Sequence, residues 1–236
     1  MTRIILVHGA CHGAWCWRDV VPALEAQGHE VVALNMPGRA GDTRDPAVLT
    51  LADQAQTVLD AAGDGAIMVG HSAGGFAIAA AAEAAPDKAL HLVFVAALLP
   101  VTGMSLGAMM QGMSPREGVG AVSRTPDRKS YFFETDGIAD DLYNGVSDKD
   151  AEWAVAQLCA EPSAPHGEKI VVGTAFGSVP KTYVRCTQDR MIPSVDQARM
   201  ARDGGTALID MDTGHSPFLS DPAGLAAHID TIAKGA

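Results

Sequence analysis

Gly70-His71-Ser72-Ala73-Gly74 reads Gly-x-Ser-x-Gly. The apolar run Ala66-Ile67-Met68-Val69 precedes it, and an alanine-rich segment with helical character follows. A serine on a sharp strand-to-helix turn has its hydroxyl exposed at the top of a sheet, which is where a nucleophile is needed. Glycines flank it because the turn leaves little room for side chains. The pentapeptide by itself occurs by chance, so its context decides.

A serine hydroxyl is a weak nucleophile near neutral pH and needs a base, which in turn needs an orienting acid. On a strand–turn–helix framework of this kind the chain order is serine, acid, histidine. His215 lies in Thr213-Gly214-His215-Ser216-Pro217, just after a predicted strand over 206–211. The other histidines fit less well. His29 and His91 begin strands at the wrong sheet edge, His228 is inside a helix, and His166 falls in an irregular block. His8, His12 and His71 precede Ser72. The acid is expected one strand earlier, in Cys186-Thr187-Gln188-Asp189-Arg190, which gives Asp189. Asp212 competes with it but is read as a loop-stabilising residue. Glu134, Asp140 and Asp141 are read as solvated. Negative charge developing on a substrate carbonyl calls for two aimed backbone N–H groups. Ala73 supplies one at a helix N-terminus. The loop His8-Gly9-Ala10 after the first strand supplies the other, at Ala10.

These residues need a scaffold, and the chain alternates strand-like and helix-like segments. Strands are predicted over 3–7, 29–34, 66–69, 90–98, 182–186 and 206–211. Helices are predicted over 15–27, 73–85, 195–203 and 225–233. Another starts at Thr50, with Asp53 completing a capping box. Continuous apolar strands alternating with helices mean a parallel sheet covered on both faces. Residues 101–179 break the pattern with Gly, Met, Pro, Ser and charged helical pieces. The expected architecture is therefore α/β, with a core over 1–100 and 180–236 and a mainly helical cap inserted over 101–179.

The bulk composition sets the remaining bounds. The chain has 236 residues, 47% hydrophobic and 19% charged, enough for one domain with a large core. Its net charge of −11 speaks against a nucleic-acid partner and against anionic membranes. No apolar run is long enough to span a bilayer. The apolar start is too short for a signal-peptide core, so a cytoplasmic location is expected. Cys11, Cys16, Cys159 and Cys186 lack paired metal-site spacing and are expected as reduced thiols without a catalytic role.

Four segments together carry a family resemblance. Val7-His8-Gly9-Ala10-Cys11-His12-Gly13-Ala14-Trp15-Cys16-Trp17 resembles the first loop of the plant methylesterase and hydroxynitrile lyase group of α/β-hydrolases, which includes the salicylate-binding methylesterases. Gly70-His71-Ser72-Ala73-Gly74-Gly75 resembles the group's nucleophile turn. Cys186-Thr187-Gln188-Asp189 with Ile192-Pro193 resembles its acid loop, and Gly214-His215-Ser216-Pro217 its histidine loop. The resemblance implies the α/β-hydrolase fold, Ser72, Asp189 and His215 as a triad, and Ala10 and Ala73 as oxyanion donors. It implies no cofactor and no metal. The lyase branch would carry threonine at Gly9, lysine at Ser216 and glutamate at His71, so the chain matches the esterase branch at all three. Asn35 departs from the aspartate usual at its position, with an effect expected on a loop only.

The cap is the part without a counterpart. His12, Tyr131, Phe132, Phe133 and Trp153 are the candidates for the substrate pocket, with Met104, Met109, Met110 and Met113 nearby in sequence. Two readings stand for the cap side chains. They select the substrate, or they hold the cap on the core. The expected activity is hydrolysis of a small, largely apolar ester, aromatic or methyl, by a monomer or homodimer. The alternatives are lyase-type cleavage of a cyanohydrin and slow-turnover binding of a small ligand.

Overall fold

The computed structural model describes residues 1–39, 41–115 and 122–236. Six strands form a wholly parallel sheet in the order β2-β1-β3-β4-β8-β9. They are β1 (Arg3–Val7), β2 (Glu30–Leu34), β3 (Ala66–His71), β4 (Ala89–Val95), β8 (Lys181–Cys186) and β9 (Ala207–Met211). Side chains alternate across a strand, so each strand feeds both faces. Ile5 and Val7 of β1, Met68 of β3 and Leu92 and Phe94 of β4 enter one apolar cluster. Ile4 and Leu6, Ile67 and Val69, and Val93 and Val95 enter a second cluster on the other face. The helices Leu51–Ala62, Gly74–Ala84 and Ser194–Asp203 contribute to the first cluster, and Val20–Ala26 and Pro222–Gly235 to the second. This is the arrangement that continuous apolar strands require.

Local signals fix several ends. Thr50 Oγ1 accepts from the Asp53 amide at 3.0 Å while Asp53 Oδ2 accepts from the Thr50 amide at 2.8 Å. That reciprocal pair is the capping box expected from sequence. The single helix predicted over 15–27 is instead two pieces, a 3-10 turn Ala14–Trp17 and the helix Val20–Ala26. Pro22 explains the break. In a continuous helix it would lack an interior N–H and clash with the preceding turn, whereas here it sits in the first turn of a new helix. Asn35 Oδ1 accepts from the Ala14 amide at 2.8 Å, which begins the 3-10 turn.

Residues 101–179 run between β4 and β8, which are neighbours in the sheet. Their described part is mostly short helices: Leu106–Gln111, Ile138–Leu142, Asp148–Gln157, Ser163–Gly167 and Thr174–Ser178. It also holds an antiparallel sheet that the sequence pattern did not reveal, formed by β5 (Val122–Arg124), β6 (Ser130–Phe133) and β7 (Glu161–Pro162). These strands are two to four residues long, too short to show an alternation. Among the described residues, no helix is long and apolar enough to cross a membrane.

Candidate active site

All of the residues singled out for chemistry leave the carboxyl ends of parallel strands, where open α/β sheets place their ligands. Ala10 follows β1, Ser72 follows β3, Asp189 follows β8 and His215 follows β9. Ala10, Ser72, Ala73 and His215 line one cavity of about 550 Å³.

The turn at Ser72 is strained. Ser72 has φ +51°, a value few non-glycine residues adopt. Its amide donates to Val95 O at 3.2 Å, and its carbonyl accepts from the Gly75 and Leu98 amides at 3.2 and 3.1 Å. These bonds hold the turn open. At Gly74 a Cβ would lie 2.8 Å from the carbonyl oxygens of Val7 and His8, so only glycine lets the following helix start this close to β1. The Ser72 hydroxyl forms no hydrogen bond with a described residue. The amides of Ala10 and Ala73 likewise donate to no described residue, and Ala73 N–H opens the helix Gly74–Ala84, whose dipole places positive charge there.

His215 is buried and its Nδ1 lies 2.8 Å from Asp189 Oδ2. A carboxylate only accepts, so Nδ1 carries a proton, and in the neutral ring that leaves the lone pair on Nε2. Asp189 is held from all sides. Its Oδ1 accepts from the Met191 and Ile192 amides at 2.7 and 2.9 Å, and its Oδ2 also accepts from Gln197 Nε2 at 2.8 Å. Asp212 instead accepts from Thr187 Oγ1 and Gln188 Nε2, which ties two neighbouring loops together.

The chain shares this architecture with known proteins. The sequence profile described as Alpha/beta hydrolase family matches residues 4–228. The chain belongs to the alpha/beta hydrolase family. Methylesterase 2 of Arabidopsis thaliana is 33% identical to it over 98% of this chain and 95% of that protein. Salicylic acid-binding protein 2 of Nicotiana tabacum is 32% identical over 98% and 96%. Among solved structures, a pyrethroid hydrolase from Sphingobium faniae JZ-2 superposes with TM-score 0.89 over 99% of this chain and 97% of that one, at 24% identity. The protein is an enzyme of this family and of its esterase type.

The rest of this hydrolase's cavity corrects several expectations. Tyr131 and Phe133 line it, but Phe132 does not. Alternation along β6 turns Phe132 to the opposite face, where it is exposed. Trp153 also lies away from the cavity. It packs edge-on against Trp15 with ring centroids 5.4 Å apart, and the Arg18 guanidinium lies 3.9 Å over its ring. Met110 lines the cavity while Met109 is buried in the core and Met104 and Met113 pack against that core. The cap side chains therefore divide, some lining the cavity and others packing on the core. Asp141, expected in solvent, is buried, whereas Glu134 and Asp140 are exposed.

Sequence reasoning passed over three supporting side chains. His71 Nε2 donates to the His215 carbonyl at 2.8 Å and so fixes the histidine loop. Gln197 bridges Asp189 to Ile192 O. His166 lines the cavity and its Nδ1 meets Tyr131 OH at 2.8 Å. His71 stands inside the serine motif, where it reads as a rejected base and as a marker of the esterase branch, and neither reading points to a hold on the histidine loop. Gln197 and His166 become neighbours of the site only once a helix folds back over each loop.

His12 also lines the cavity, with both ring nitrogens in use. Nδ1 donates to Ala10 O at 2.8 Å, and Nε2 accepts from Tyr143 OH at 2.9 Å. Burial pulls its pKa from 6.5 to about 4. His8, His71 and His166 are displaced downwards as well, chiefly by burial. Below pH 6.5 the unfolded chain binds protons that the folded chain refuses. Stability is thus full above pH 6.5 and falls as the pH drops towards 4. We expect the urea midpoint to fall between pH 7.5 and pH 5, with His12 alone contributing about 2 kcal/mol of that loss. An unchanged midpoint would contradict it.

The four thiols are free. Burial pushes Cys11 well above the usual thiol range, and Cys186 up to about 12, so neither is poised as a nucleophile. Among the described residues, no cluster of three His, Cys, Asp or Glu side chains could hold a metal ion.

Proposed function

We propose that this enzyme is a serine carboxylic-ester hydrolase working through an acyl-enzyme, with Ser72 as nucleophile, His215 as base and Asp189 as its orienting acid. The observation that carries the reading is the Asp189–His215 hydrogen bond beside a strained Ser72, both His215 and Ser72 facing one cavity. His215 Nε2 takes the Ser72 proton as Oγ attacks the ester carbonyl carbon. The carbonyl oxygen becomes an oxyanion between the Ala10 and Ala73 amides. As the tetrahedral intermediate collapses, the C–O bond to the alcohol breaks and His215 protonates the leaving alkoxide. Water, deprotonated by His215, then attacks the acyl-enzyme and releases the acid and free Ser72. The Ser72–His215 bond is one that forms with substrate, since catalytic hydrogen bonds often tighten only in the complex.

Leu106, Met110, Phe133, Leu142 and Ile192 give the cavity apolar walls, which suits a small apolar acyl group. The relatives named methylesterase and salicylic acid-binding protein support a methyl ester of a small acid as the substrate class. Nothing favours the lyase reading. A side chain at Gly9 would meet His71 Nδ1 at 2.8 Å and Ser72 Cβ at 2.9 Å, which leaves no space for the threonine of the lyase branch.

The test is steady-state turnover on a panel of short-chain and aromatic methyl esters, with mandelonitrile as a cyanohydrin control. Saturable hydrolysis of at least one ester and no release of cyanide is the expected result. Background rates on every ester, or cyanide release, would overturn it.

A further inference from the structure

The loop that carries Ala10 is gripped from outside the parallel core. Cys11 has φ +60°, a strained value for a side-chain-bearing residue. Its amide donates to Glu161 Oε2 at 2.8 Å, and its carbonyl accepts from the Cys159 amide at 3.0 Å. Cys159 and Glu161 both belong to the inserted segment 101–179, so that segment holds both polar groups of the Cys11 backbone.

Glu161 is the charged member of this grip. It is 2% exposed. The groups facing its carboxylate are the Cys11 amide, the Arg39 guanidinium, with which it forms a buried ion pair, and His166, whose Nε2 lies 3.5 Å from Oε1. Arg39 is itself buried and its Nε donates to His12 O at 2.6 Å, one residue further along the same loop. Glu161 and Arg39 thus tie down two successive loop residues. Burying an ion pair is costly, and it repays stability poorly compared with apolar packing. Its position here, directly behind the loop, has a different use. The loop is also braced from within. Gly9 O accepts from the His12 amide at 3.3 Å, and Ala10 O accepts from His12 Nδ1.

We infer that Glu161 is a positioning residue for ester hydrolysis: by accepting the Cys11 amide and anchoring Arg39, it fixes the turn that aims the Ala10 N–H into the cavity. It touches neither substrate nor reacting atoms. The inference rests on the reading of Ala10 as an oxyanion donor. It adds that the inserted segment helps to build the oxyanion site besides walling the cavity.

Two variants separate the possibilities. Glu161→Gln keeps an acceptor for the Cys11 amide but removes the charge that holds Arg39. The double change Glu161→Met with Arg39→Met replaces the pair by apolar side chains, which buried pairs tolerate, and removes the acceptor. Relative to the unsubstituted protein, the double variant is expected to lose about 30-fold or more in kcat, approaching the loss of one oxyanion donor, with KM within about threefold. Glu161→Gln is expected to fall between the two. The decisive readout is affinity for a trifluoromethyl ketone, which forms an oxyanion on adding Ser72. The inhibition constant should rise in step with the fall in kcat, which a purely structural role would not produce. A folded double variant with kcat within threefold overturns the inference, as does a fall in kcat with unchanged ketone affinity. If the double variant does not fold, Glu161→Gln decides alone by the same correlation. Ser72→Ala run alongside keeps the readings apart. Turnover within tenfold of the unsubstituted protein there would refute the serine mechanism itself, whereas a far larger loss together with an indifferent double variant refutes the role of Glu161 only.

Discussion

Ser72→Ala should lower kcat on the best ester by about 10⁴- to 10⁶-fold and leave the protein as stable as before. Two features make both halves of that expectation firm. The hydroxyl is bonded to no described residue, so its removal leaves no buried partner unpaired. The turn that holds it is maintained by backbone bonds from Ser72 to Val95, Gly75 and Leu98, which alanine keeps. Alanine at φ +51° bears the same strain as serine, so the melting temperature should stay within about 2 °C. Turnover does not fall to zero because the Ala10 and Ala73 amides still polarise a bound carbonyl and the cavity still positions it. The ester should accordingly bind the variant with an affinity near its KM. Turnover within tenfold of the unsubstituted protein would remove Ser72 from the mechanism. Lost turnover with a collapsed melting curve would instead show that the turn depends on the hydroxyl.

What could be read from the sequence follows the range of the physics involved. The parallel sheet was legible because strands covered on both faces are continuously apolar, as in Ile4-Ile5-Leu6-Val7 and Leu92-Val93-Phe94-Val95. That Ser72, Asp189 and His215 each follow a parallel strand was legible because a strand end is a local signal. The break near Pro22 was also written locally, in a proline that a continuous helix cannot hold, and was passed over for the longer apolar periodicity. The inserted segment was different. Its strands are too short to alternate, so Phe132 could not be told from Tyr131 and Phe133 by pattern, and Trp153 could not be known to rest on Trp15. The ion pair of Arg39 and Glu161 joins residues far apart in the chain, one in a turn and one in a two-residue strand. Neither neighbourhood marks its charged residue as buried. Contacts set by tertiary folding alone leave no period, spacing or cap to find.

Asp189→Asn should cost about 10⁴-fold in kcat, the loss that this exchange produces in another serine hydrolase triad. The four hydrogen bonds on Asp189 explain why here. Every partner is a donor: the Met191 and Ile192 amides on Oδ1, and His215 Nδ1 and Gln197 Nε2 on Oδ2. An asparagine must turn one of its positions into a donor. With its NH₂ at the Oδ1 position, two buried backbone amides lose their acceptor, at about 1–3 kcal/mol each. With its NH₂ at the Oδ2 position, Gln197 and His215 Nδ1 both meet a donor, but Gln197 Nε2 retains Ile192 O at 2.7 Å and the ring can change tautomer. The second orientation is therefore favoured, and it faces His215 Nδ1 with a donor. The ring answers by moving its proton to Nε2, where the lone pair was needed to take the Ser72 proton. The variant stays folded with its base capped. KM should change little, because Asp189 does not line the cavity. Gln197→Leu tests the same account from the other side. It removes one donor from Asp189 without altering the histidine tautomer, so its loss in kcat should be far smaller than that of Asp189→Asn. Equal losses would mean that the carboxylate matters for loop geometry and not for the proton on His215.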